Sequence, residues 1–348
     1  MSSHVIKLSI ENFKGIAKGE LKLPKVTVLM GGNNSGKTSI LEALFLLGNP
    51  SRTTPYIIDG TPANVLKVLN YMHEGPGGGY AFLLHKYTAK EAKIEAVIEG
   101  KQHNLRIYDK GLSLIFYKLL TSQRGRFYCS IDKNTGAPLG TEPVPNISWE
   151  GVSGPEDTPK SLYVHPLLRK AAWMYLRNNW YKVSSITPLV AKRLSGITRE
   201  SIFNITLEPF VGDVLTLYAM TEDGERVRLS DMGEGIQVLT TTMLLYEMEK
   251  PRIVLIDDIE AHLNPRALRK LASWLLDIVL KDNVIVISST HSLEAAKLLV
   301  STLDEAGARV VLLDLREGEL LSRELNLEDL ESLEDAGVDP RLAEALLI

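Results

Sequence analysis

The chain has 348 residues, 45 % hydrophobic and 24 % charged, with a formal net charge of −4. That length buries one large core or two smaller ones, and the acidic balance excludes a global basic field for nucleic acid, though not a local patch. The single cysteine, Cys129, excludes a disulfide framework and a cysteine zinc cluster, and it fits a reducing interior. With no signal-peptide pattern at the start and no apolar run near 18 residues, the expectation is a soluble, cytoplasmic protein without a membrane span.

In chain order, Val5-Ile6-Lys7-Leu8-Ser9-Ile10 alternates as a half-buried strand does, and Glu20-Leu21-Lys22-Leu23 repeats the pattern before Pro24. Val26-Thr27-Val28-Leu29-Met30 reads as a buried strand. It runs into Gly31-Gly32-Asn33-Asn34-Ser35-Gly36-Lys37-Thr38, and a helix follows through Ser39-Ile40-Leu41-Glu42-Ala43-Leu44. Gly48-Asn49-Pro50 stops that helix. Residues 60–72 predict a second helix, and the glycine-rich 75–79 predict a flexible break. From about 80 to 150 the pattern is strands and turns, at 81–85, 94–98, 105–108, 114–117 and 127–131. This predicts an antiparallel sheet, not a continuation of an α/β core. Residues 150–160, with Pro155 and Pro159, predict a polar loop, and 167–194 a helical region. Strands return over 202–229 with Asp223-Gly224 as a hairpin turn, and helix then alternates with apolar strand as far as Leu313. There is no internal repeat and no low-complexity tract.

Residues 31–38 have the form G-x-x-x-x-G-K-[ST] between a strand and a helix, the frame in which that motif cradles phosphate. Its glycines let backbone N–H groups converge on an anion, and the helix N-terminus adds about half a positive charge. Lys37 is expected to reach the β- and γ-phosphates, and Thr38 to ligate Mg²⁺. The candidate nucleotide-binding set is Gly31, Gly32, Asn33, Asn34, Ser35, Gly36, Lys37, Thr38 and Ser39, with ATP and Mg²⁺ as the cofactors.

Three further segments complete a constellation. Arg252-Ile253-Val254-Leu255-Ile256-Asp257 is a buried strand ending in a carboxylate, so Asp257 is the second Mg²⁺-side group opposite Thr38. Val284-Ile285-Val286-Ile287-Ser288-Ser289-Thr290-His291 is another, ending in an imidazole that could reach a γ-phosphate or attacking water. Arg228-Leu229-Ser230-Asp231-Met232-Gly233-Glu234-Gly235-Ile236-Gln237 passes from strand through a small-residue loop into a helix, an anion-facing terminus without a lysine.

In this order the four pieces resemble the ATP-binding-cassette ATPase superfamily over most of the chain. Within it, Ile10-Glu11-Asn12-Phe13-Lys14-Gly15 and Glu260-Ala261-His262-Leu263-Asn264-Pro265 resemble the branch holding the structural-maintenance-of-chromosomes (SMC) proteins, RecF and the overcoming-lysogenization-defect (OLD) ATPases, a group of AAA-family ATPases. The resemblance implies an α/β fold. It would be a P-loop NTPase with a mixed central sheet, an antiparallel β subdomain and a helical lid and signature subdomain. The expected parts are 1–60 (P-loop strand, loop and helix), 61–150 (antiparallel β-rich part), 151–200 (helical insertion or lid) and 201–348 (signature, Walker B strand and histidine switch), together one ATPase domain. It also implies an ATP-dependent homodimer. ATP would sit between Gly31 to Thr38, Asp257 and His291 of one subunit and the signature of the other, formed by Ser230, Asp231, Gly233, Glu234 and Gly235.

The chain departs from that pattern in places. Asp258 stands where the superfamily usually has the glutamate that positions water. Its shorter side chain predicts slow hydrolysis, with Glu260 as a substitute and His291 as the third catalytic candidate. Ser230 fits the signature serine only with one extra residue, and Asp231 to Gly235 resembles the OLD-like form instead. An aspartate there repels a γ-phosphate unless it caps the helix. For the glutamine that senses γ-phosphate, Gln102 and Gln123 are unranked candidates. Only 57 residues follow His291, too few for the nuclease domain of OLD proteins, so effector chemistry is expected from a partner.

At helical spacing Trp173, Leu176 and Trp180 share one face of 167–182, and Lys170, Arg177 and Tyr181 another. Lys170, Arg177, Trp180 and Tyr181 are the candidate nucleic-acid residues; the competing reading packs the tryptophans inward. The acidic 324–335, with Leu327, Leu330 and Leu333, is either a partner-docking helix or a solvated one. The expected function is an ATPase switch in DNA repair, chromosome maintenance or anti-phage defence. The alternative is an ATP-binding regulator of a partner enzyme or toxin that does not touch DNA.

Overall fold

The computed structural model describes residues 4–47, 49–73, 79–140, 143–150, 159–195, 202–212 and 214–339. The expected break at 75–79 and the loop at 150–160 fall largely outside them, as does the boundary at 200/201. In chain order the elements are β1 (His4–Phe13), β2 (Ile16–Pro24), β3 (Val26–Met30), α1 (Lys37–Leu46), β4 (Thr53–Ile58), β5 (Thr61–Asn64) and α2 (Val65–His73). Next come β6 (Glu91–Ile98), β7 (Lys101–Asp109), β8 (Ser113–Leu119), β9 (Arg124–Asp132), β10 (Pro138–Leu139), β11 (Ser148–Glu150) and β12 (Ser161–Val164). Then follow α3 (Arg169–Asn178), α4 (Trp180–Val183), α5 (Thr187–Leu194), β13 (Ile202–Val211), β14 (Val214–Thr221) and β15 (Arg226–Arg228). The described chain ends with α6 (Glu234–Glu249), β16 (Ile253–Ile256), α7 (Pro265–Lys281), β17 (Ile285–Thr290), α8 (Leu293–Thr302), β18 (Arg309–Arg316), β19 (Glu319–Leu325) and α9 (Leu327–Asp335).

One 14-stranded sheet carries the molecule, in the order β10-β9-β8-β7-β6-β1-β2-β19-β18-β3-β17-β16-β12, with β11 beside β9. Its two halves are built on different periodicities. β3, β16 and β17 are buried at every residue, as strands in a parallel stack covered on both faces must be. β3 pairs in parallel with β17 and β18, and β16 with β17 and β12. β6 instead alternates buried and half-exposed, so the antiparallel half has one wetter face. The antiparallel strands hydrogen-bond through β6 onto β1 (Leu8 opposite Ala96), so they are a wing of the core sheet. The separate antiparallel sheet expected at 80–150 is corrected to this extent.

Two local expectations also change. Residues 81–85 hold the 3₁₀ turn Ala81–Leu83 and the start of a second, His85–Tyr87, where Lys86 and Tyr87 take φ of 51° and 63°; Leu84 makes only an isolated bridge to Phe13. The helix expected from residue 60 starts at Val65. Thr61 to Asn64 pairs with β4, and the Asn64 carboxamide accepts from Lys67 N–H at 2.8 Å to close the first turn.

Helix starts follow their local chemistry. Asn264 caps α7 by accepting from Ala267 N–H, with Pro265 in the first turn, and Ser292 caps α8 through Ala295 N–H. α7 buries Leu268, Leu271, Ala272, Leu275 and Val279 at helical spacing. Leu330 of α9 is buried and Leu327 and Leu333 pack beside it, while Lys297 of α8 pairs with Glu334. The leucine face of 324–335 is therefore spent on this chain. No helix among the described residues is long and apolar enough to cross a membrane.

Candidate nucleotide site

The parallel strands deliver their C-terminal ends to one place. β3 ends at Met30, and Gly31 follows where a Cβ would lie 2.4 Å from Leu313 O, so only glycine fits. Asn34 and Gly36 take φ of 61° and 93°, curling the backbone into the first turn of α1. Lys37 folds back over the loop, donating to Gly31 O (3.0 Å), Gly32 O (2.8 Å) and Ser35 Oγ (3.3 Å). Burial pulls its pKa below the ordinary lysine value, opposed by Asp257, Asp258 and Glu260. Asn33 and Asn34 are exposed, and Thr38 and Ser39 are half-buried on the first turn of the helix.

At the end of β16, Asp257 is 3 % exposed. Its carboxylate accepts from Tyr163 Oη at 3.0 Å and from the Ser289 hydroxyl. Its N–H continues the ladder to Val164 O at 2.9 Å. Asp258 follows with φ of 48°, its N–H donating to Ser289 Oγ at 2.9 Å. That turn points the Asp258 carboxylate outward, half-exposed, with Oδ1 3.9 Å from His291 Nε2. Burial first, then the Asp257 and Glu260 charges, push the Asp258 pKa up, against the pull of His291. Glu260 accepts from His291 N–H through Oε1 (2.9 Å), and its buried Oε2 has no hydrogen-bond partner among the described residues.

The loop at 229–233 sits apart, and no hydrogen bond among the described residues joins it to residues 31–39. Ser230, Asp231, Gly233 and Glu234 are exposed and Gly235 is half-buried. Gly233 is the N-cap of α6 and no side chain caps it. Asp231 therefore does not cap the helix. Arg228 holds it in a two-toothed pair (2.6 and 3.0 Å), with the guanidinium 3.8 Å from the Phe210 ring centre.

Comparison with known proteins bears on this geometry. The family model described as "AAA ATPase domain" matches residues 4–116. A second, described as "AAA domain, putative AbiEii toxin, Type IV TA system", matches residues 186–296. Two stretches of the chain thus match AAA-family ATPase domains, which makes the chain an ATPase. Over 46 residues it is 50 % identical to the DNA replication and repair protein RecF of Nitrosococcus oceani, a match spanning 13 % of each protein. The solved Smc head bound to the C-winged helix domain of ScpA aligns with TM-score 0.51 at 16 % identity, over 92 % of this chain and 98 % of that one. At that identity the likeness is one of fold. The SMC head domain from Thermotoga maritima aligns at TM-score 0.45 and 12 % identity, over 92 % and 98 %. The ATPase thus has the P-loop α/β fold of an SMC head.

Within this ATPase, sequence reasoning missed Tyr163, Ser289 and His165. Gln102 lies in β7 and Gln123 in the turn before β9, both on the antiparallel wing. The strand end beside β16 carries His165 instead, its ring stacked on Tyr163 at 6.4 Å. Its Nδ1 accepts from Leu167 N–H (3.1 Å), which places the proton of the neutral ring on Nε2. Burial lowers its pKa, against Asp257 and Asp258. A cavity of about 40 Å³ lies behind His165, between α3, α6 and Asp257.

On α3, Lys170 and Arg177 are exposed, and Tyr181 of α4 is exposed with Lys182 over its ring. Trp173 and Trp180 pack against the core beside the buried Leu176. α3 and the β13–β14 hairpin frame a groove of about 620 Å³ that reaches Ser230 and Gly233.

Proposed function

We propose that the ATPase is a switch that binds ATP and Mg²⁺ at a head-to-tail dimer interface, hydrolyses ATP slowly, and serves DNA repair, chromosome maintenance or defence against foreign DNA. The observation that carries this is the meeting of the phosphate loop, Asp257, Asp258 and His291 at adjacent ends of β3, β16 and β17. The segments 1–60, 61–150, 151–200 and 201–348 act as one ATPase domain in this reading.

The donor set fits Mg²⁺ held jointly with a nucleotide. Asp257 is a buried carboxylate oriented by Tyr163 and Ser289, and Thr38 is the second residue of α1. Mg²⁺ prefers one or two protein oxygens plus phosphates, and the described residues hold no cluster of three His, Cys, Asp or Glu side chains. When bound, the ion supplies neutralisation of charge on the β- and γ-phosphate oxygens. Lys37 would exchange its carbonyl partners for those phosphates. Asp258, its pKa raised, would take the proton of the attacking water, and His291 would hold the same water or the γ-phosphate. Ser230 and Gly233, exposed, would meet the γ-phosphate of a second subunit, and the Arg228 pairing removes most of the repulsion from Asp231.

A regulator of a protein partner is the second reading. Phe203, Phe210, Val211, Val214 and Leu215 are all exposed on the one ribbon β13–β14, a surface suited to a protein contact. Steady-state hydrolysis with and without duplex and single-stranded DNA separates the two. Turnover that rises with DNA supports the DNA switch; turnover indifferent to DNA supports the regulator.

A further inference from the structure

The loop 229–233, anchored by the buried Leu229, receives little support from its own backbone: a long 3.3 Å bond from Met232 N–H to Leu229 O closes its one turn. Side chains supply the rest: Arg228 grips Asp231, and Gln237 reaches the loop's carbonyls. Gln237, 8 % exposed on the first turn of α6, donates through Nε2 to Ser230 O (3.3 Å) and Met232 O (2.8 Å). The carboxamide oxygen accepts from Arg169 Nη1. A carboxamide can satisfy these partners in only one orientation, because a flip would set its oxygen against two carbonyls and its NH₂ against a guanidinium. Arg169 and the two loop carbonyls together fix which way Gln237 points. The same guanidinium lies 3.6 Å from Glu234, whose carboxylate also meets His262 Nδ1 at 2.5 Å.

Arg169 is the first residue of α3, four positions after His165. His165 stacks on Tyr163, and Tyr163 donates to Asp257. The clamp on the loop thus starts from the strand end that holds the metal-side carboxylate, next to a cavity of about 40 Å³ lined by both His165 and Arg169.

We propose that Gln237 and Arg169 are positioning residues for the ATP-closed dimer, fixing the 230–233 loop in the form that meets the ATP of a second subunit. This rests on the head-to-tail reading above. Neither residue touches nucleotide in its own subunit; both act through Ser230 and Gly233. Gln237→Glu is the informative change. It keeps the shape and still pairs with Arg169, but it sets an oxygen against both loop carbonyls.

The test is ATP-dependent dimerisation by size-exclusion chromatography with light scattering, in an Asp258→Asn background with the slowly hydrolysed analogue ATPγS as the nucleotide. Binding of a fluorescent ATP analogue and the thermal midpoint are measured alongside. We expect Asp258→Asn to dimerise with Mg-ATPγS, and Asp258→Asn with Gln237→Glu to need at least about tenfold more nucleotide for the same dimer fraction. Analogue binding, made by the P-loop alone, should change less than about twofold. A side chain that only supports the fold would move all three readouts together. Equal dimerisation of the two proteins overturns the proposal. If Asp258→Asn alone stays monomeric at saturating ATPγS, the head-to-tail reading fails and the proposal falls with it. Should the Gln237 variant not fold, Arg169→Met, at a side chain 25 % exposed, carries the same expectation and the same refutation.

Discussion

Asp258 Oδ1 lies 3.9 Å from His291 Nε2, across the mouth between the ends of β16 and β17. That gap suits one water held by both groups. In the proposed function this carboxylate is the proton acceptor, its pKa raised by burial and by Asp257. Asp258→Asn should therefore lower the rate constant of hydrolysis by about 100-fold or more while ATP binding is kept, as read by single-turnover kinetics. Unchanged turnover would transfer the role to Glu260, whose Oε2 is unpartnered.

Lys37 satisfies its ammonium on the loop's own carbonyls, so the phosphates must displace those contacts. Lys37→Ala should weaken Mg-ATP by at least about tenfold in isothermal titration, with little change in thermal midpoint. Gly31→Ala should do more damage to the fold, since its new Cβ meets Leu313 O at 2.4 Å. A Gly31→Ala protein as stable as the parent would mean that the loop relaxes freely around the methyl group.

Glu42, on α1 directly behind the phosphate loop, is fully buried between Lys14 and His73. Burial alone would raise its pKa, but the Lys14 charge and the His73 hydrogen bond outweigh it and hold the carboxyl below 4.5. A depressed carboxyl stabilises the fold above its unfolded value and stops doing so as pH falls through its folded value. Glu42→Gln should cost about 3 kcal/mol in urea melts at pH 7. The gap should close as pH drops below 4.5. A gap that stays constant from pH 7 down to the lowest pH at which both proteins fold would refute the electrostatic origin.

Lys170 and Arg177 stand exposed on α3 with no ion-pair partner among the described residues. If DNA lies along this helix, replacing both by Ala should reduce the slope of log K against log salt by about 1.8, the value for two phosphates. Fluorescence anisotropy across a salt series reads this directly, and an unchanged slope removes the helix from any DNA site.

What could be read in the sequence was local. Residues 31–38 and the runs ending at Asp257 and His291 announce themselves because a strand in a parallel stack is apolar throughout and its functional group comes immediately after it. The through-space partners were hidden. Tyr163 lies in a four-residue strand with no periodicity to show, His165 just follows it, and Arg169 and Gln237 are far apart in sequence. Lys14, Glu42 and His73 come from three separate elements. The strand expected at 81–85 is a 3₁₀ turn running into a second, whose Lys86 and Tyr87 take positive φ that neither advertises by type.

The central strand β3 has an implication for how the chain is made. Thr27 pairs with Ile287 on one side and Arg309 on the other, and Gly31 leans on Leu313. At ribosomal speed those partners emerge roughly 15–60 s after β3 itself. Until then an apolar strand and an unbraced phosphate loop wait in the open, a burden for chaperones rather than for the finished enzyme. A nascent chain cut before residue 309 would hold every residue of the P-loop motif and still leave its strand as a bare edge.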